Sequence, residues 1–341
     1  MIFRQLFDRK SCTYTYLLAD EDTGQAVLID PVIEMVDRDL ALIEELCLSL
    51  EYILETHVHA DHVTGAAVLQ RFTGAKNGLS KAACATCADL NLEPGDLITF
   101  GKHTLHVLGT PGHTEGCISY LMVDQDPHLI FTGDAIFVRG CGRTDFQGGS
   151  ARTLFQSVHR EILSLPPSTI IYPGHDYRGH QSSSVGEELA HNPRLNEWVL
   201  EDDFVEMMAQ LNLSDPKMMD VAVPANTACG VTDQWPAGFV RKSMQIVEPT
   251  TLEALSAYTV VDVREADEFE GPLGHLPTAQ LVPLAGLRSE MNRWDTATRL
   301  LMVCRSGARS AQACKVLLDA GFSDVSNLGG GMIAWRESET E

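Results

Sequence analysis

The chain has 341 residues, 44% of them hydrophobic and 21% charged, an ordinary composition for a globular protein with room for two domains. Its formal net charge is −22, from 25 basic and 47 acidic residues, so its surface repels nucleic acid and anionic membranes alike. No apolar run reaches the ~18 residues of a membrane span, and the start, M-I-F-R-Q-L-F-D-R-K, lacks the apolar core and small residues of a secretory leader.

Residues 13–19 and 26–30 are apolar runs around Asp22-Thr23-Gly24, which predicts a β-hairpin. From 34 to 50, Val36, Leu40, Ile43, Cys47 and Leu50 recur at steps of four and three, the core stripe of an amphipathic helix. Tyr52-Ile53-Leu54 reads as a buried strand that runs into a histidine cluster. Further strands are expected at 104–108, 118–123, 128–132 and 169–172, each followed by loop residues. Helices among many short strands indicate an α/β chain with an αββα sandwich over about 1–190. Residues 187–220 read as acidic helices. The turn-rich stretch 221–249, with V-P-A-N, C-G, W-P-A-G and E-P, reads as linker. The resulting division is a first domain over 1–231, a linker at 232–249 and a second domain over 250–341. In the second domain a helix at 250–256, the strand Y-T-V-V-D-V, the strand at 299–303 and a helix from 308 predict a small doubly wound α/β fold.

The nine cysteines (12, 47, 84, 87, 117, 141, 229, 304 and 314) are odd in number and irregularly spaced. They read as reduced thiols in a cytoplasmic compartment. Cys84-Ala85-Thr86-Cys87 has no second C-x-x-C to complete a zinc ribbon, so it reads as two ordinary thiols on or near a helix.

The chemistry concentrates at strand ends, where loops can hold ligands on a rigid scaffold. T-H-V-H-A-D-H at 56–62 supplies His57, His59, Asp61 and His62. His113 follows in G-T-P-G-H-T, Asp134 in F-T-G-D-A and His175 in Y-P-G-H-D-Y. Seven imidazole or carboxylate groups in such turns point to a metal site, and spacing alone leaves one metal or two open.

H-x-H-x-D-H with the later His, Asp and His resembles the metallo-β-lactamase superfamily, which implies the αββα fold. In glyoxalase II hydrolases of that superfamily, His57, His59 and His113 would serve one metal position. Asp61, His62 and His175 would serve a second, with Asp134 between. The stretches F-T-G-D-A-I-F-V-R-G-C-G-R-T-D-F-Q-G-G at 131–149, Y-P-G-H-D-Y at 172–177 and N-P-R-L-N with V-P-A-N at 192–226 resemble the narrower persulfide dioxygenase family. That resemblance implies a single Fe(II) on His57, His113 and Asp134, the facial triad of non-haem iron oxygenases. Open positions would take glutathione persulfide and O₂, while His59, Asp61, His62 and His175 would orient the ligands by hydrogen bonds. The competing expectation is a zinc-dependent glutathione thioester hydrolase. Against it, the chain has Arg143 and Asp145 where glyoxalase II usually has lysine and tyrosine, and it lacks that family's Arg-x-x-Lys clamp. Arg143 is the candidate clamp for a glutathione carboxylate, and Tyr177 a candidate hydroxyl donor to substrate. Cys141, close by in sequence, is open to oxidation.

In the second domain V-C-R-S-G-A-R-S at 303–310 follows a strand and opens a helix. Cys304 stands just ahead of a helix N-terminus with Arg305 and Arg309 near, which favours a thiolate. The loop's backbone N–H groups, from Arg305, Ser306, Gly307, Ala308 and Arg309, can cradle an anion or an extra sulfur. C-x₄-R is one residue shorter than the phosphatase loop, which suits sulfur better than phosphate. D-V-R-E-A-D-E-F at 262–269, G-H-L-P-T-A at 274–279 and N-L-G-G-G-M-I-A-W at 327–335 resemble single-domain rhodaneses. The resemblance implies sulfur transfer between thiosulfate or sulfite and glutathione through a Cys304 persulfide, Asp262 and Arg264 forming a buried structural pair. Cys314 reads as a buried thiol. Homo-oligomer formation stays open.

Overall fold

The computed structural model describes residues 1–211, 213–214, 218–230, 245–247 and 255–338. The predicted hairpin forms from β2 (Thr13–Ala19) and β3 (Gln25–Ile29), antiparallel with Tyr16 opposite Ile29. Ahead of it β1 (Ile2–Asp8) adds a further antiparallel strand. Its residues are mostly half-buried, so it carries little alternation to read. The first sheet runs β1-β2-β3-β4-β5-β6, in which β4 (Ser49–Leu54), β5 (Lys76–Ser80) and β6 (Leu90–Leu92) pair in parallel.

The second sheet is ordered β12-β11-β10-β9-β8-β7. These are β7 (Leu97–Phe100), β8 (His103–Gly109), β9 (Ile118–Met122), β10 (Leu129–Gly133), β11 (Ile170–Pro173) and β12 (Ser183–Ser184). Tyr16, Leu18 and Ile29 of the first sheet share one core with Phe100, Val107, Tyr120 and Phe131 of the second, so the sheets pack face to face. The outer face of the second sheet, with Leu121, Ile130 and Ile171, packs on α3 (Ala151–Ser157), α4 (Val185–His191) and α5 (Glu201–Ala209) through Leu154, Val185 and Phe204. The fold is the expected αββα sandwich.

Two local expectations are corrected. The helix expected over 34–50 is shorter: α1 spans Val36–Glu45. It ends because Cys47 turns left-handed at φ 54° and its N–H returns to Glu44 O, after which Leu50 belongs to β4. The stretch from 221, read as linker, begins instead as α6 (Met219–Thr227), which runs through Pro224. Proline there removes one helical hydrogen bond without ending the helix, so a breaker signal was overridden by packing.

The second sheet-bearing unit has the order β13-β17-β16-β14-β15, every pair parallel. Its strands are β13 (Gln245–Val247), β14 (Thr259–Asp262), β15 (Gln280–Leu281), β16 (Leu300–Val303) and β17 (Val325–Leu328). Helix Ala308–Asp319 follows β16 as the doubly wound reading requires. β13 lies inside the stretch 232–249 read as linker, while the rest of that stretch and residues 250–254 of the expected helix lie outside the described residues. The chain divides into two compact units: Met1–Met35, Tyr52–Ala67 and Lys76–Thr232 form one, and Val36–Glu51, Val68–Ala75 and Asp233–Glu341 the other.

Candidate metal centre and cysteine loop

β3 is followed by Asp30, whose φ of 51° turns its carboxylate back under the loop that leaves β4. Asp30 is 1% exposed and accepts from Thr56 N at 2.7 Å and from Thr56 Oγ1 at 2.8 Å. The hydroxyl has one hydrogen, and the carboxylate takes it. Its oxygen, 3.0 Å from His57 Nδ1, therefore accepts that ring's N–H and leaves the His57 Nε2 lone pair free. His113 is set the same way. Its Nδ1 lies 2.6 Å from the Arg143 carbonyl, which can only accept, so Nε2 is again the open atom.

Asp134 follows β10 and points one oxygen at each neighbour. Oδ1 accepts from His175 Nδ1 at 2.6 Å, and Oδ2 stands 3.6 Å from His113 Nε2. Donor atoms of His57, His113 and Asp134 lie within 4.8 Å of one another, all three side chains buried. Burial, reinforced by neighbouring histidines, holds His57 well below the ordinary imidazole range and lowers His113 despite Asp134. Burial opposes ionisation of Asp134, but His175, His113 and His57 overcome it and depress its pKa. Two neutral imidazoles and a carboxylate are a competent donor set for a divalent transition metal.

Of the other four cluster residues, Asp61, His62 and His175 are tied to one another, and His59 is held separately. His62 Nδ1 and His175 Nε2 each lie 3.0 Å from Asp61 Oδ2, and Thr13 Oγ1 is 3.1 Å from His175 Nε2. Both ring nitrogens of His175 are thus engaged. Burial disfavours its charge, yet Asp134 and Asp61 raise its pKa well above the ordinary value. His59 Nε2 meets Asp30 at 3.1 Å and Glu55 at 3.4 Å. Those carboxylates outweigh burial and raise His59 to about 10. Among the described residues, His59 Nδ1 and His62 Nε2 are buried without a hydrogen-bond partner, and with Asp61 they form a second compact group of ligand types.

Of the residues assigned to substrate, Arg143 closes on its own chain. Its Nε and Nη2 donate to Asp145 at 2.6 and 2.7 Å, its Nη1 to Ser214 O, and its guanidinium lies 4.9 Å from the Phe146 ring centroid. Tyr177 is 69% exposed and its ring stacks parallel to His175 at 6.0 Å. Cys141 is buried beside Met208.

In the second unit Cys304 directly follows β16 at 1% exposure, and its sulfur accepts from Gly307 N at 3.1 Å and Ser310 Oγ at 3.3 Å. Gly307 caps helix Ala308–Asp319 at φ 94°, and its carbonyl is held by Asn327 Nδ2 and Ser310 Oγ. Of the loop's backbone N–H groups, that of Gly307 is turned onto the sulfur, and the Ser310 hydroxyl supplies the second donor. Arg309 does not face Cys304 freely, because Glu268 takes it bidentately at 2.5 Å. Ser306 is buried, and Arg305 and Ala308 line the surface depression over the loop. Asp262 and Arg264 form the expected buried pair, with three contacts of 2.7–3.1 Å. Cys314 is fully buried.

Residues 12–87 and 88–175 match the metallo-β-lactamase superfamily, and residues 248–338 match the rhodanese-like domain. The mouse protein named persulfide dioxygenase ETHE1, mitochondrial, is 49% identical over 232 residues, covering 68% of this chain and 89% of that one. This chain belongs to the persulfide dioxygenase family. Among solved structures, that of ETHE1 from Myxococcus xanthus is 51% identical, covering 68% of this chain and all of that one with a TM-score of 0.65. A Staphylococcus aureus metallo-β-lactamase structure, 23% identical, agrees in fold over 96% of this chain and 98% of its own, with a TM-score of 0.62.

Within the persulfide dioxygenase unit the sequence reading missed four residues. Asp30 and Thr56 set the His57 ring, Glu55 holds His59, and Asn226 staples the metal loop. Asn226 Nδ2 donates to His59 O and His62 O at 2.9 and 2.8 Å, and its Oδ1 accepts from Thr64 N at 2.8 Å. Asp30 sits at a strand end as the ligands do, but 26 residues from Thr56, so no local spacing announces it. The expectation that all nine cysteines are reduced is also corrected: Cys87 and Cys229 form a disulfide across 142 residues, and the other seven are free. A partner that far along the chain is invisible to spacing. Among the described residues no helix is long and apolar enough to cross a membrane.

Proposed function

We propose that the first unit oxidises glutathione persulfide with O₂ on one Fe(II), and that the rhodanese-like domain moves sulfane sulfur between thiosulfate and glutathione through Cys304. The observation that carries the single-metal reading is the engagement of both ring nitrogens of His175. His175 spends both nitrogens on Asp134, Asp61 and Thr13, whereas the Nε2 atoms of His57 and His113 are left open by their hydrogen bonds. When bound, Fe(II) on His57, His113 and Asp134 would supply adjacent open positions at which a persulfide and O₂ react. Both oxygen atoms go onto the terminal sulfur. With one water the products are sulfite and glutathione, the sulfane sulfur giving up the four electrons that O₂ accepts.

The protein's own part is to orient and to hold protons. Asp30 and Thr56 fix the His57 tautomer, Arg143 O fixes that of His113, and His175 holds a proton against Asp134 Oδ1. The Arg143 guanidinium is the carboxylate site for glutathione, with Asp145 occupying it until substrate arrives. The Tyr177 hydroxyl, exposed above His175, is the candidate donor to bound substrate. In the rhodanese-like domain the Cys304 thiolate attacks the outer sulfur of thiosulfate and releases sulfite. The resulting persulfide then passes its sulfur to glutathione, which restores the thiolate. Gly307 N and Ser310 Oγ steady the charge on sulfur. Cytoplasmic placement rests on the seven free cysteines.

A second reading is favoured by one observation: the orphaned His59 Nδ1 and His62 Nε2 could take a second metal, as in a zinc-dependent glutathione thioester hydrolase. The deciding experiment is O₂ uptake with glutathione persulfide alongside iron and zinc quantitation. About one iron per chain with O₂ consumption supports the dioxygenase. About two zinc per chain with no O₂ uptake would overturn it. Cys304→Ser should abolish cyanolysis of thiosulfate and leave O₂ uptake intact.

A further inference from the structure

Asn226, whose side chain spans His59 O, His62 O and Thr64 N, lies three residues before Cys229, at the C-terminal end of α6. Cys229 is bonded to Cys87, on the connection between β5 and β6. Beside the bridge the two segments touch again, Thr86 N donating to Thr227 O, and a third segment joins them through Ala67 N to Cys229 O. Cys229, Asn226, Thr64 and the ligand His57 line one small cavity. The bridge therefore anchors the helix end that presents Asn226 to the metal-bearing loop.

Seven other cysteines are free, Cys47 and Cys84 among them exposed. A lone disulfide in such a chain is more often a redox-responsive bond than a staple. We infer that Cys87–Cys229 is a thiol-exchange site, a latch whose redox state sets how firmly Asn226 holds the metal loop. Its reactant class is the low-molecular-weight thiol and disulfide pair, with glutathione and its disulfide as the couple. Cys87 is half-buried and Cys229 only 6% exposed, so attack falls on Cys87. A glutathione thiolate bonds to Cys87 Sγ as the Cys87–Cys229 bond breaks, and Cys229 leaves as a thiolate and takes up a proton. A second glutathione thiolate attacks the glutathionyl sulfur, freeing Cys87 and releasing glutathione disulfide. Two electrons pass from two thiols to the bridge, and glutathione disulfide reverses the exchange.

The inference rests on the metal centre described above, and its test separates the two. The full chain is equilibrated with glutathione disulfide or with glutathione, desalted, and mapped by alkylation of its cysteines. In the oxidised form Cys87 and Cys229 should resist alkylation and carry no added glutathione; in the reduced form both should react. Cobalt(II) loaded as a probe should then leave to excess chelator ~10-fold faster from the reduced form, the scale of losing a group that supports a ligand. Amide exchange at Thr64, whose N–H is bonded to Asn226, should quicken in parallel. Cys87→Ser and Asn226→Ala should each release cobalt at the fast rate in both redox states. Alkylation of Cys87 or Cys229 in the oxidised form overturns the latch, as does Thr64 exchange or cobalt release that ignores redox state. A chain that takes up no cobalt overturns the metal-centre reading instead, and Thr64 exchange still decides the latch.

Discussion

Asp30 receives three hydrogen bonds, from Thr56 N, Thr56 Oγ1 and His59 Nε2, in a region closed to water. Asp30→Ala strands those donors, each at a cost of about 1–3 kcal/mol. It should lower metal affinity by ~10–100-fold, read by titration with a coloured chelator. The same cluster makes a pH prediction for the metal-free chain. His59 is raised to about 10 from an ordinary 6.5, so its ion pairs contribute fully below about pH 6.5 and are lost as pH rises toward 10. Urea midpoints of the metal-free protein should fall across that window, and less so in His59→Gln. In the rhodanese-like domain, Arg264→Leu leaves the Asp262 carboxylate buried alone and should cost about 3–5 kcal/mol in urea unfolding. The candidate metal ligands were legible because imidazoles and carboxylates gather within a few residues or in glycine turns. Asp30 and Asn226 were not, because each acts on atoms brought near only by the fold, while Glu55, four residues before His59, lies close in sequence but just outside the histidine motif.

At the scale of elements, the candidate ligands hang from strand ends whose turns admit little else. Gly112, at φ 135°, packs so closely on α3 that an added Cβ would lie 2.3 Å from the Leu154 backbone. Gly112→Ala should destabilise by about 3 kcal/mol and loosen His113. Gly95→Ala, at φ 101° with open space around it, should cost only about 1 kcal/mol and spare metal binding. Thermal melts with and without metal distinguish them. Strands β2, β3 and β8 to β11 were legible from apolar runs bounded by turns. β1 is half-buried, β6 and β13 are three residues each, and α6 contains a proline. Short or mixed segments take their structure from neighbours, and the neighbours are remote in sequence.

For the whole molecule, two units with separate cores predict two unfolding transitions in calorimetry. Metal bound only by the folded first unit adds its binding free energy to that transition alone. Chelation should lower one midpoint by several degrees and leave the other, while Cys304→Ser should move neither by more than about a degree. The −22 charge was legible outright and is common to both halves of the chain. Which helices cluster with which unit was not, since an amphipathic stripe names a buried face without naming its partner.

Arg143 presents its two ends to different tasks: the carbonyl orients His113 and the guanidinium binds carboxylates. A main-chain oxygen is the same in every amino acid. On the proposed assignment of the guanidinium to a glutathione carboxylate, position 143 can therefore be rewritten for another substrate with the orientation of His113 left untouched, which makes it the natural place to retune substrate preference.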